Sequence, residues 1–537
     1  MLVCIFPITT TAAAMSEACQ AGANTGGGCG PARRLQAVDS TLTRELLAEV
    51  AVDNTVVVAQ ANLKFLDFLQ NWIWHLEAVG MRNYVVAAMD RATLDRLQQD
   101  GIRSFLYTSS ELFDSEKVFT RDFGLVKARL INEIIDLGFN LLYSDLDVVW
   151  LRDPFPYFAH FPDLDLLITT DLWDNLEEAD PEWDLSPTCC LNIGAVLLRA
   201  TPVVAQFLHH WLGILEEGLD TIWDQMVFHM QLHMAVETSV SNGSHFHRGF
   251  AGKLPYGVLP DKAFPEGRAF AGDYDREVYG LRHWIAHMDF MGTSVVKRHL
   301  FREYGLWAVD PPEYFHFPGG FLTYQPAVPQ DWLQQTLLSG EADRELRWRA
   351  HIRIIEYQQA QIRVALAISS ALGRALILPR IYSGFRSFAL RKPIWVARPI
   401  HLPAKSVLSI DDMEKGNRGN QALLGPTLHF RDYAFMTRPG FPVEFNASVV
   451  QVVVGNADAV PGAQQGQRSV VLQPLLTDRQ LVAALEEVKD AKILHFSDVR
   501  RAWGGFAHPR RELQFQRQTA AWFKSPYSSR EDLVSED

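Results

Sequence analysis

From residue 55 to about 200, short apolar runs rich in β-branched residues alternate with stretches of helical period. That alternation restricts the chain to a layered α/β architecture. TVVVAQA (55–61) is an unbroken apolar run of the kind buried on both faces of a parallel sheet. FLDFLQNWIWHLEAVG follows with apolar residues at helical spacing and Gly80 as its stop. YVVAAMD predicts a second strand, Arg91 to Gln99 a charged helix, Lys127 to Leu137 another helix ended by Gly138, and LLYSDLDVVW one further strand. DLLITTD (165–171) and NIGAVLLR (192–199) read as strands, and Gln206 to Glu217 as a helix.

A chain of 537 residues exceeds one ordinary core, so two domains are expected. The divisions fall at 1–48, a leader with a Gly-rich flexible linker; 49–309, the first α/β domain, ending before Asp310-Pro311-Pro312; and 310–537, a second α/β domain. In the second, QAQIRVALAISSAL predicts a helix stopped by Gly373, ALILP and AKILHFSDV predict strands, and about 380 to 445 reads as loop-rich. The apolar stretch Met1–Ala14 is shorter than the roughly 20 residues of a membrane span and lacks basic flanking residues. Membrane anchoring is therefore open at the sequence level.

A hydrophobic fraction of 48% argues against general disorder, and a net charge of −13 without lysine or arginine blocks argues against a nucleic-acid partner. Five cysteines without regular spacing make neither a disulfide framework nor a zinc site. Cys189-Cys190 reads as a pair of small buried side chains, and Trp72, Trp74, Phe65 and Phe68 read as core packing.

The most informative segment is Ser144-Asp145-Leu146-Asp147, where an apolar strand delivers two acids to a sheet edge. Ligands of open α/β sheets bind at the carboxyl ends of strands. If the backbone stays extended, side chains at i and i+2 face the same way, so both carboxylates can meet one ligand. Such oxygens suit a hard divalent cation, which in turn can hold a diphosphate and neutralise charge on a leaving phosphate. A solvated strand end is the plain alternative. A second chemistry also fits DLDVV: a haloacid-dehalogenase-like phosphohydrolase with Asp145 as nucleophile. That motif usually opens its domain, however, whereas two strand–helix units precede it here. A pseudoenzyme that binds a sugar nucleotide without turnover is a third possibility.

In order along the chain, TVVVAQANLKFLDFLQNWIWHL, SDLDVVWLRDPFPYF, LNIGAVLLRATP, IWDQMVFH and KRHLFREYGLW resemble the nucleotide-diphospho-sugar transferases of glycosyltransferase family 77, in particular plant extensin arabinosyltransferases. The likeness continues through DPPEYFHFPGGFLTYQP, QQAQIRVALAISSALGRALILPRI and GPTLHFRDYAFM, and so spans nearly everything after residue 50. It implies a GT-A fold and a manganese-dependent site. It also implies retaining transfer of a pentose, arabinose ahead of xylose, from a UDP-sugar to a hydroxyl of a cell-wall glycan or hydroxyproline-rich glycoprotein. The setting it implies is the Golgi lumen, in proteins that are usually type II membrane proteins.

The resemblance also nominates residues. His287, in WIAHMDFMG, would complete the metal site beside Asp145 and Asp147, and an imidazole suits manganese better than magnesium or calcium. A packed or surface histidine is the alternative. Lys127, Lys297 and Arg298 are candidate cations for the donor diphosphate, against solvated helix faces or a basic turn. Asn192 and Gly194 are placed beside donor sugar and acceptor. Asp224 and Gln225 are placed near the reacting carbon, where an oxygen can stabilise an oxocarbenium-like transition state. A helix-surface acid is the alternative for Asp224. The last domain is similar to O-fucosyltransferase-like GT-B domains at fold level only, and acceptor binding or scaffold is its expected role.

Overall fold

The computed structural model describes residues 41–107, 121–171, 183–186, 190–217, 223–272, 282–336, 344–385, 395–416, 428–455 and 468–524. The expected leader, with Cys4, Cys19 and Cys29, lies outside the described residues except for its last few positions, and Cys189 also lies outside them. Those last positions correct the reading of a linker to residue 48. A helix spans Arg44–Val50, where Thr43 caps the Leu46 amide and Leu46 and Leu47 are buried. The signal was local: a threonine N-cap before an apolar pair.

Nine strands form the first sheet in the order β3-β2-β1-β4-β7-β6-β10-β9-β8. They are β1 (Thr55–Ala61), β2 (Tyr84–Ala88), β3 (Ser104–Leu106), β4 (Asn140–Ser144), β6 (Leu166–Thr170), β7 (Leu191–Leu198), β8 (Glu237–Ser241), β9 (Ser244–Gly249) and β10 (Leu254–Val258). β3, β2, β1 and β4 are parallel, as are β6 and β10, whereas β7 runs antiparallel to both β4 and β6. The sheet is thus mixed and GT-A-like. Period-2 alternation explains the apolar runs. Val56 and Val58 pack under the Arg121–Asp136 and Pro202–Glu217 helices, while Val57 and Ala59 pack under Leu66–Ala78 and Arg91–Gln99. Each fully buried valine contributes on the order of 1.5–3 kcal/mol.

LLYSDLDVVW is not one strand. β4 stops at Ser144, the Val148 amide donates back to the Asp145 carbonyl at 3.2 Å, and β5 (Val148–Trp150) leaves the sheet. β5 pairs antiparallel with β11 (Ile285–His287) in a separate two-stranded ribbon. Two indoles secure this departure. Trp72 and Trp150 both donate to the buried Ser144 hydroxyl, at 2.9 and 3.1 Å.

A second sheet is all parallel, in the order β16-β13-β12-β20-β17-β18. It comprises β12 (Phe321–Tyr324), β13 (Ala375–Ile377), β16 (His429–Arg431), β17 (Val449–Val454), β18 (Ser469–Leu472) and β20 (Ile493–Phe496). The stretch read as loop-rich carries a hairpin, β14 (Ile381–Phe385) with β15 (Trp395–Leu402). One apolar cluster joins the halves: Phe68, Val149, Met288, Leu300 and Phe301 pack in it with Leu322, Ile362, Leu376 and Leu494. The long Arg344–Leu372 helix supplies Ile362. Among the described residues no helix is long and apolar enough to cross a membrane.

Candidate active site

The site forms where β4 ends and the β5–β11 ribbon begins. Ribbon register places His287 opposite Val148, next to Asp147, and the Met288 amide donates to the Asp147 carbonyl at 2.9 Å. One ligand atom each from Asp145, Asp147 and His287 lie within 4.8 Å of one another, an arrangement able to hold a metal ion. The residue types match a hard divalent cation, with two carboxylate oxygens and one imidazole. Gly194 on β7 keeps the space open. A Cβ there would collide with His287 and lie 2.8 Å from both the Asp145 carboxylate and the Asn192 amide oxygen. Its carbonyl accepts from the Asp145 amide at 2.7 Å.

Two lysines face the acid pair from separate helices. Lys127 Nζ donates to Asp145 at 3.1 Å and lies over the Tyr143 ring. Lys297 Nζ donates to Asp147 at 2.5 Å. Burial opposes charge on Asp147, yet Lys297 and His287 outweigh it and hold this carboxyl well below the usual range. Burial likewise opposes charge on His287, but Asp289, Asp147 and Asp145 together raise its pKa to about 9. Arg298 is placed elsewhere. Its guanidinium pairs with Asp67 at 2.6 Å and stacks on Phe68 and Trp307. Neighbouring residues on a helix point about 100° apart, so Lys297 and Arg298 cannot share one target.

Beside this centre lies a polar node that the sequence reading only half contained. Asn192 donates to Asp171 at 2.6 Å and to Asp289 at 2.8 Å, and Gln225 donates to the other Asp171 oxygen at 2.7 Å. Burial raises the pKa of Asp171 and of Asp289. Asp289 also accepts from the Gly267 amide at 2.9 Å, and burial, followed by the Asp289 charge, raises the pKa of Glu266 to about 7. Asp224, first residue of the Asp224–Leu232 helix, packs against Gly124 and faces Lys127; burial raises its pKa. Asp171, Asp289 and Glu266 were not nominated. Asp171 had the same signal as Asp145, an acid closing an apolar strand, and Asp289 is two residues past His287.

Residues 79–301 match the nucleotide-diphospho-sugar transferase family. The chain is a glycosyltransferase, similar over these residues to that family. The family and the mixed sheet leave the phosphohydrolase reading without support. An arabinosyltransferase of Arabidopsis thaliana is 29% identical over 494 residues, covering 89% of this chain and 74% of that protein. A UDP-D-xylose:L-fucose alpha-1,3-D-xylosyltransferase of the same plant is 26% identical over 277 residues, covering 49% of this chain and 71% of that protein. Among solved structures, mouse xyloside xylosyltransferase 1 aligns at 12% identity over 44% of this chain and 98% of that chain, with a TM-score of 0.27.

Proposed function

We propose that the protein transfers a pentose, arabinose ahead of xylose, from a UDP-sugar to a hydroxyl group, with manganese as its cation and with retention of configuration. The acceptor in this reading is a cell-wall glycan or a hydroxyproline-rich glycoprotein in the Golgi lumen. One observation carries the proposal: Asp145, Asp147 and His287 converge at a sheet edge inside a nucleotide-sugar transferase domain. The pentose follows from the relatives' names, one an arabinosyltransferase and the other a xylosyltransferase.

Asp145, Asp147 and His287 would hold the cation, which when bound supplies Lewis-acid neutralisation of the departing diphosphate. Lys127 and Lys297 donate to the acid pair and add the positive charge that a diphosphate needs near two carboxylates. Gly194 leaves room for these groups to converge. Asp171 orients Asn192 and Gln225, so their amides are fixed before substrate arrives. Asp224 and Gln225 would lie near the reacting sugar, where an oxygen can stabilise developing positive charge.

The test is UDP release by purified protein with manganese and a panel of UDP-sugars, with and without hydroxyproline-rich peptide or pectic acceptors. UDP-arabinofuranose should give the highest turnover, and chelation should abolish it. No turnover with any donor overturns the proposal.

A further inference from the structure

The segment that follows β11 joins His287 to the Ser294–Glu303 helix that carries Lys297, so its path sets how both meet Asp147. Phe290 has φ +52° and Gly292 φ +106°. A phenylalanine in the left-handed region is strained and persists only where its surroundings hold it. Some support comes from the first half of the chain. A Cβ on Gly267 would lie 2.5 Å from both the Asp289 carbonyl and the Met291 side chain, so that turn presses directly on the segment.

The remaining support comes from the second half. Lys405 Nζ donates to the Met291 carbonyl at 3.0 Å and lies 3.5 Å from its sulfur. Thr293, the N-cap of the Ser294–Glu303 helix that carries Lys297, donates to Asp411 at 2.5 Å. At the far end of that helix the Ala404 amide donates to both oxygens of Glu303, at 3.1 and 3.2 Å. Residues 404–412 are themselves tied down. Gln359 donates to the Val407 and Lys524 carbonyls, both at 2.8 Å, and Lys524 donates to the Lys405 carbonyl at 2.7 Å. Lys405 is an awkward residue to place here. It is half-buried, and its electrostatic neighbours Lys524, Lys297 and Arg268 carry like charge, with Glu266 the acid among them. An apolar side chain of the same length would pack more cheaply, so its hydrogen bond to Met291 is the feature that distinguishes it.

We propose that Lys405 is a positioning residue of the transferase site, and that residues 404–412 clamp the Met288–Thr293 turn so that His287 and Lys297 meet Asp147. The second half of the chain is then a working part of the active site, not a separable acceptor module. This rests on reading Asp145, Asp147 and His287 as the cation centre of a transferase.

The test compares full-length wild type with Lys405→Met, Lys405→Arg and Asp411→Ala by hydrogen exchange, manganese calorimetry and UDP release. Lys405→Met should speed amide exchange across 288–293 while β1 and β4 stay protected, and should weaken manganese binding about 10-fold, the lower end for loss of a group that orients a ligand. kcat should fall more than KM rises, and Lys405→Arg should recover most of each loss. Asp411→Ala, which removes the acceptor of the Thr293 hydroxyl, should move exchange and affinity in the same direction, which keeps the test open if Lys405→Met does not fold. Asn71→Ala, which removes contacts to Leu306 and Ala308, should lower Tm without altering either readout at 288–293. Wild-type exchange across 288–293 and wild-type manganese affinity in folded Lys405→Met overturn the inference. A wild type that releases no UDP defeats the proposed function instead, and the exchange comparison still judges the clamp.

Discussion

The Lys297 ammonium lies 2.5 Å from the Asp147 carboxylate across 150 residues of sequence, with both side chains largely withdrawn from water. Removing one member of such a pair leaves the other charge buried and uncompensated, at a cost of about 3–5 kcal/mol. Lys297→Met should therefore lower Tm. Manganese should restore more stability to this variant than it adds to wild type, because a cation at Asp147 replaces the missing charge. Thermal melts with and without metal check this; equal manganese shifts in both proteins would remove the cation from Asp147.

Gly194→Ala should abolish manganese binding while leaving the sheet intact. Its new methyl group would displace His287, Asn192 or the Asp145 carboxylate, since all three crowd the position. Calorimetry and far-ultraviolet circular dichroism provide the two readouts. Retained metal affinity would mean that the three ligands do not act together.

Asp171→Asn should separate orientation from metal binding. The new amide cannot accept from both Asn192 and Gln225, so the polar node loosens while Asp145, Asp147 and His287 stay in place. Turnover should fall about 10- to 100-fold, as expected when reacting groups lose their alignment, with manganese affinity within twofold of wild type. Comparable losses in both would tie Asp171 to the metal centre.

Burial lowers the pKa of His351 to about 3, and its ring nitrogen Nδ1 lies 2.9 Å from the Ser383 hydroxyl. Between pH 6.5 and about 3 the unfolded chain takes up a proton at this histidine and the folded chain does not. Folding stability is thus lost as pH falls through that window, by up to about 1.4 kcal/mol per pH unit from this one group. His351→Asn should flatten the pH dependence of denaturant unfolding by that amount below pH 6 and leave it unaltered above pH 7. Parallel curves for the two proteins would show that His351 protonates equally in both states.

Period and residue chemistry are local properties, and these were legible in the sequence alone. TVVVAQA and YVVAAMD became β1 and β2, Arg91–Gln99 became a helix with those ends, and Asp145 and Asp147 stood out as acids closing an apolar strand, whereas His287 was nominated by the family resemblance. Strand direction and side-chain aim were not legible, because both depend on partners remote in the chain. Nothing within NIGAVLLR says that it runs antiparallel to β4 and β6, and nothing within LLYSDLDVVW says that its last residues pair with Ile285–His287. Lys297 and Arg298 are adjacent basic residues on paper; the helix turns one toward Asp147 and the other toward Asp67. Asp171 and Asp289 acquire their positions when separate elements of the first half bring them to Asn192, and Lys405 acquires its own only when two halves of the chain close around one core. The sequence determined which chemistry was available and where each strand and helix could form. The tertiary structure decided which of those groups meet, because hydrogen-bond pairing and helix-face orientation are settled by contacts across hundreds of residues.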